Sequence, residues 1–117
     1  MMIISFAWTT PALLAGQKTV TRRNWSDRHA RLFHAGDHVA AWDRSPHLHG
    51  KQVAVIELTH DPYKSEELPH EDWSREGFDY LTQNGLTTPD QVWGEWLSEG
   101  VGHLWVVRFR LVEEVAA

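Results

Sequence analysis

Leu13-Leu14-Ala15-Gly16-Gln17-Lys18-Thr19-Val20-Thr21-Arg22-Arg23 changes character at a single residue. Upstream of Gly16 the chain is apolar and helix-forming. Thr9-Thr10-Pro11 offers a hydroxyl cap followed by a proline in the first turn, and Ala12–Ala15 continue the helix. Glycine ends it, because it takes the left-handed cap conformation without a steric cost. Lys18–Arg23 then reads as a short extended stretch. Backbone N–H groups released by such a turn, with a lysine and arginines beside them, form a cradle for a carbonyl oxygen or an anion.

Working outward, Met2–Ala7 reads as a first strand carried by Ile3, Ile4 and Phe6. Asn24–His34 is polar and basic, a loop with room for a helical turn. Gly36-Asp37 leads into a strand over His38–Asp43, and Ser45–Gly50 has the proline and glycine of a turn. Lys51–His60 is the next strand, its Val53, Val55, Ile56 and Leu58 being β-branched or apolar, and Asp61-Pro62 breaks it. A helix start is expected over Ser65–Leu68. A longer helix is expected over His70–Thr82, with Trp73, Gly77, Tyr80 and Leu81 on one face. Thr88-Pro89-Asp90 starts another helix, carrying Val92, Trp93, Trp96 and Leu97, which Gly100 and Gly102 end. Trp105, Val107, Phe109 and Leu111 then alternate with Arg108 and Arg110 in a last strand over His103–Val112.

This order is not the regular alternation of a doubly wound sheet. It predicts an α+β domain in which short strands close a small barrel, helices pack outside, and the last strand returns to an early one. A length of 117 residues suits a single domain spanning 1–117. The absence of cysteine excludes disulfides, iron–sulfur clusters and thiolate zinc sites. Met1–Trp8 is apolar but has no basic leader, and no apolar run approaches the roughly 20 residues that span a bilayer. The expectation is a cytoplasmic protein with no membrane partner.

The net charge of −5 argues against a protein that coats nucleic acid by phosphate neutralisation. The charge is uneven, however. Lys18, Arg22, Arg23, Arg28 and Arg31 lie close together with only Asp27 against them, whereas the rest of the chain holds six basic and fifteen acidic residues. Such a patch on an acidic body is either a site for one anionic or polar ligand or a solvated charged loop. Of the seven tryptophans, Trp8 and Trp25 flank the basic stretch and are the candidates for stacking on a base, with core packing as the rival role. Trp42, Trp73, Trp93, Trp96 and Trp105 sit in periodic apolar patterns and are assigned to the core.

The Gly16-to-Arg23 segment resembles the signature of the ASCH family, in which a helix ends in Gly-x-Lys-Thr followed by a threonine or glutamate and an arginine. Gly36-Asp37 before a strand, Glu76-Gly77-Phe78 in the later helix and the closing strand Leu104–Leu111 extend the resemblance over nearly the whole chain. The resemblance implies a PUA-like barrel directed at RNA or modified nucleosides. One bacterial subgroup removes the acetyl group from N(4)-acetylcytidine, with a lysine as proton acceptor, a threonine three residues later as nucleophile and a helix glutamate as proton donor. By position these are Lys18, Thr21 and Glu76, with Glu71 as the rival acid. Other family roles are RNA binding without catalysis, and RNA cleavage with Lys18 and Glu76 as base and acid.

The chemistry is coherent by itself. A threonine hydroxyl needs a base to attack an amide, and a lysine serves when burial or cationic neighbours such as Arg22 and Arg23 lower its pKa. In a regular strand, though, Lys18 and Thr21 would point to opposite faces, while Thr19 and Thr21 share one. A bend after Gly16 is required, and Thr19 competes as the hydroxyl. Arg22 either orients a phosphate or carbonyl of the substrate or caps the barrel with a salt bridge. Arg23, Trp8, Trp25 and Thr19 complete the expected substrate-binding set. The bland alternative for Glu76 is a surface carboxylate paired with Arg75 or Lys64. The eight histidines show no metal-ligand spacing, so no metal or cofactor is expected.

Overall fold

Short apolar runs separated by turn residues fold into a mixed sheet with helices on its outside. A computed structural model describes residues 1–65, 70–88, 90–92 and 104–115. The strands are β1 (Ile3–Ser5), β2 (Val20–Arg23), β3 (His38–Trp42), β4 (Gln52–Leu58), β5 (Tyr63–Ser65) and β6 (Leu104–Glu114). The helices are α1 (Thr10–Leu14), α2 (Asp27–Ala30), α3 (His70–Arg75) and α4 (Phe78–Gln83). No helix among the described residues is long and apolar enough to cross a membrane.

The strand order is β1-β3-β4-β6-β2, with β5 added against β6. β1 runs parallel to β3, and the other pairs are antiparallel. The last strand does return to an early one, as expected. It also changes partner along its length: Trp105 to Arg108 pair with β2, and Phe109 to Glu114 pair with β4. Two register shifts, at Ala41/Trp42 in β3 and at Val55/Ile56 in β4, bend the sheet. The curvature stops short of the closed barrel that the sequence suggests. Among the described strands β1 and β2 do not pair, and the result is a half-barrel.

The core has two parts, one on each side of β6. Ile4, Phe6, Leu13, Phe33, Val39, Ile56, Leu58, Val107 and Phe109 fill the concave side. Ala12, Phe78, Leu81, Val92 and Leu104 form a second cluster under the helices. A strand covered on both faces explains why Leu104 and Val106 are buried as well as Val107 and Phe109.

The helical turn for which the basic loop had room is α2, capped by Ser26, which accepts a hydrogen bond from the His29 N–H at 3.1 Å. Other local expectations change. Ser65 belongs to β5 rather than to a helix, and residues 66–68 of that expected start lie outside the described residues. The single helix over His70–Thr82 is two helices, divided at Gly77. Thr88 and Gln91 form a reciprocal capping box (both contacts 3.2 Å), as the proline-led start implied, but Trp93, Trp96 and Leu97 lie outside the described residues.

Gly77 is obligatory for a spatial reason as well as a conformational one. Its φ is +88°, and a methyl group there would stand 2.5 Å from the Ala12 Cβ and 3.3 Å from the Lys18 Cβ. Gly16 has φ +73° with open space around it. Alanine is therefore expected to cost about 1–2 kcal/mol at Gly16 through the left-handed backbone alone. At Gly77 overpacking should add about 1–3 kcal/mol more. Chemical denaturation of the two variants side by side measures the difference.

Candidate functional site

Gly77 closes the gap between α1 and the α3–α4 corner, and that approach puts Glu76 beside Lys18. The Lys18 ammonium donates to the Glu76 carboxylate (Oε2, 2.9 Å) and also to the Glu76 backbone carbonyl at 2.9 Å. Lys18 is 2% exposed and Glu76 is 4% exposed. Arg22 donates from Nη1 to Glu76 Oε1 at 3.0 Å and from Nη2 to Asp72 Oδ2 at 2.6 Å. Arg108 grips the same aspartate with both terminal nitrogens, at 3.1 and 2.9 Å, and its Nε donates to the Tyr63 hydroxyl at 2.9 Å. The site is thus backed by a continuous run of charge-assisted hydrogen bonds, buried from Lys18 to Asp72 and partly buried at Arg108.

The backbone resolves the problem of facing. Lys18 precedes β2 and still belongs to the turn that ends α1: its N–H donates to the Ala12 carbonyl at 3.2 Å, next to the Gln17 N–H at 2.9 Å. Strand alternation therefore starts only after it. Thr19 is held through its backbone, its N–H to the Arg75 carbonyl (2.7 Å) and its carbonyl to the Phe109 N–H (3.0 Å). Its side chain is exposed, and it does not line the cavity into which Lys18 and Thr21 face. Thr19 is thereby removed as the competing hydroxyl.

That cavity measures about 500 Å³ and lies where the sheet is open, between the end of β1 and the edge of β2. Lys18, Thr21, Arg22, Arg23, Glu76 and Phe78 contribute its floor and one wall, and the Phe6–Thr9 turn contributes the other. Thr21 is buried, and its Oγ1 accepts from Arg23 Nε at 3.1 Å. The Arg23 guanidinium lies over the Phe6 ring, 5.3 Å from its centroid. Ala7, on the cavity rim, has a φ of +47°, a strained backbone for a residue with a Cβ.

Trp8 and Trp25 separate. Trp8 lines the cavity, is 42% exposed and lies parallel to Phe78, with centroids 5.8 Å apart. Trp25 stacks on Phe33 at 4.6 Å and packs against the half-barrel core, away from the cavity lining. Trp25 is therefore corrected from a base-stacking candidate to a packing residue. The choice between carboxylates is equally clear in space, since Glu71 is exposed whereas Glu76 is buried in the cavity wall. The expected surface partners of Glu76 are engaged elsewhere, Lys64 with Asp27 (2.6 Å) and Arg75 with Asp72 (3.4 Å). Arg22 makes the salt bridge that was one of its two expected roles, and it also lines the cavity.

Sequence reasoning missed Asp72 and the role of Arg108. The signal was present, because Asp72 and Glu76 stand four apart and so share a helical face. Arg108 is the register partner of Val20, which puts it beside the Lys18–Arg23 segment.

Burial drives the Lys18 ammonium below its ordinary 10.5, and the charges of Arg23 and Arg22 add to the fall, while Glu76 opposes it. For Asp72, burial works against the carboxylate, but hydrogen bonds from Arg108 and Arg22 prevail and lower it from 3.8 to about 2. The site therefore combines an amine biased toward losing its proton, a carboxyl in contact with it and a hydroxyl in the same cavity. Such a set can move protons to and from a bound substrate.

The fold is shared with a solved structure. The chain is similar over 97% of its length to the crystal structure of protein EF3133 from Enterococcus faecalis V583, of the family DUF984, with a TM-score of 0.59. The two are 16% identical, and 77% of that protein is covered. The likeness is one of fold alone. No family model and no curated protein matches the sequence.

Because the folded Asp72 pKa of about 2 lies below 3.8, the unfolded chain takes up this proton first as pH falls. Its contribution to stability is complete above about pH 5 and is lost on acidification through the folded value. Denaturant unfolding between pH 5 and 2 should show stability falling with pH, and Asp72→Asn should flatten that slope.

Proposed function

We propose that this chain is an ASCH-type, PUA-like amidohydrolase that removes the acyl group from N(4)-acylated cytosine nucleosides, with N(4)-acetylcytidine as the reference substrate. The observation that carries the proposal is the contact of the Lys18 ammonium with Glu76 in the wall of a cavity that also holds the Thr21 hydroxyl. A volume of about 500 Å³ suits a small ligand.

The chemistry balances on these three groups. The Lys18–Glu76 ion pair and its neutral form differ only in the position of one proton along a 2.9 Å contact. In the neutral form Lys18 accepts the Thr21 proton as Oγ1 attacks the acyl carbon. Arg23, which donates to that oxygen at 3.1 Å, leaves the hydroxyl proton available for transfer and supports negative charge as it develops. The carbon–nitrogen bond then breaks, and Glu76 protonates the departing cytosine amine. Water hydrolyses the acyl-threonine, giving one proton to Glu76, while Lys18 returns its proton to Thr21. Trp8 offers its exposed face to the pyrimidine.

The decisive assay incubates purified protein with N(4)-acetylcytidine, free and within an RNA oligomer, and follows the ultraviolet change to cytidine. Turnover is expected to fall roughly a hundredfold or more in Lys18→Ala and Thr21→Ala, with Thr21→Ser keeping part of it. A wild-type protein without turnover on either substrate, or a Lys18→Ala variant with undiminished turnover, removes the proposal. Trp8→Ala should raise KM roughly tenfold, the worth of one base–aromatic stack, and leave kcat little changed.

A further inference from the structure

Asp72 is the most completely enclosed charged side chain in the site, at 0% exposure, and it does not line the cavity. A carboxylate removed from both water and substrate needs a reason to be there, because its desolvation is costly unless cations meet it. Three arginines meet it, from three elements. Arg22 comes from β2 at 2.6 Å, Arg108 from β6 at 3.1 and 2.9 Å, and Arg75 from α3 itself at 3.4 Å.

Arg22 is the informative one. Its guanidinium is a rigid planar fork, and its two terminal nitrogens hold two different carboxylates, Asp72 on one side and Glu76 on the other. The side of Glu76 that does not face Arg22 faces Lys18. The order Arg108–Asp72–Arg22–Glu76–Lys18 is therefore a chain in which each link fixes the orientation of the next. Asp72 and Glu76 are consecutive turns of one helical segment, joined by the Glu76 N–H to the Asp72 carbonyl at 2.8 Å, so the backbone sets their spacing.

We propose that Asp72 is a positioning residue for this site: acting through Arg22, it holds the Glu76 carboxylate against the Lys18 ammonium. The proposal deepens the functional reading above and, for its effect on catalysis, rests on it. The coupling to Lys18 is a separate physical fact that can be measured without a substrate.

Charge bookkeeping gives the sign. Lys18 is faced by Glu76 from the α3–α4 corner and by Arg22 and Arg23 from β2, with Asp72 and Arg108 standing behind Arg22. Removing the Asp72 charge leaves the cations less opposed and makes the Lys18 ammonium release its proton at lower pH. Removing the Arg108 charge does the reverse. An aspartate that merely pins α3 to the sheet still acts on Lys18 through its charge, so its effect would be the same with or without the Arg22 fork.

The chain contains only three lysines, Lys18, Lys51 and Lys64, so the carbon-13 resonance of each lysine Cε is resolvable. Titration by NMR should show the Lys18 midpoint moving to lower pH in Asp72→Asn and to higher pH in Arg108→Gln, with Lys51 unchanged in both. In an Arg22→Lys background, which keeps the charge but loses the fork, Asp72→Asn should shift Lys18 markedly less. An unmoved Lys18 in either folded variant, shifts of the same sign, or an undiminished shift without the fork overturns the proposal. Should Asp72→Asn fail to fold, Arg108→Gln carries the test. With acylated cytidine, Asp72→Asn should lose roughly ten- to a hundredfold in kcat through misplacement of Glu76, with little change in KM. Absence of turnover in the wild type defeats the functional reading and leaves the titration result standing.

Discussion

An ammonium in a protein interior is tolerated only with a carboxylate in contact, and that constraint organises this molecule. Lys18 and Glu76 are separated by 58 positions, and each is nearly closed to solvent. Their contact requires the turn after α1 and the corner between α3 and α4 to approach too closely to admit a methyl group on residue 77. A glycine in the left-handed conformation makes this possible. The second core cluster, which packs Ala12 against Phe78 and Leu81, supplies the apolar burial that holds these turns together. Packing and charge thus depend on one another, since the helices cannot settle on the sheet without bringing the ion pair into register.

The open seam of the sheet has the same logic. A strand edge normally needs a partner, and β1 and β2 are the two ends of the strand order. The space between them is the cavity, lined by side chains from both and by the α3–α4 corner. The polar groups that line the cavity are there because the ladder stops. Thr21, Arg22 and Arg23 all reach the cavity from consecutive positions, as residues at a free edge can.

Much of this was legible in the residues themselves. The helix stop at Gly16, the β-branched strand over Val53–Leu58 and the alternation of the last strand are local patterns, and local patterns survive folding. The Lys18–Thr21–Glu76 grouping was legible only through the family resemblance, because nothing in the spacing says that position 76 lies beside position 18. Asp72 escaped notice because a carboxylate on a short helix looks like a solvated one until three arginines are seen to surround it. Trp25 and Thr19 were misassigned for the opposite reason. Both are near the site in sequence, but Trp25, just ahead of α2, stacks on Phe33 against the core, and the turn out of α1 leaves Thr19 facing solvent. The two helices within 70–83 read as one because the apolar periodicity continues through Gly77, and only its positive φ breaks the axis.

The change of partner along β6 has a consequence for the order of assembly. β2 has β6 as its sole described partner, and β6 begins at Leu104. As the chain emerges from the ribosome, β1, β3 and β4 can zip together early, while Lys18 and Thr21 wait on a segment without a ladder. β2 gains its described ladder only once β6 has been made. A product truncated before β6 would lack the strand that pairs with β2, β4 and β5, and nascent chains would pass through a stage with an unsatisfied β2 edge, open to capture by a chaperone or by a second unfinished copy.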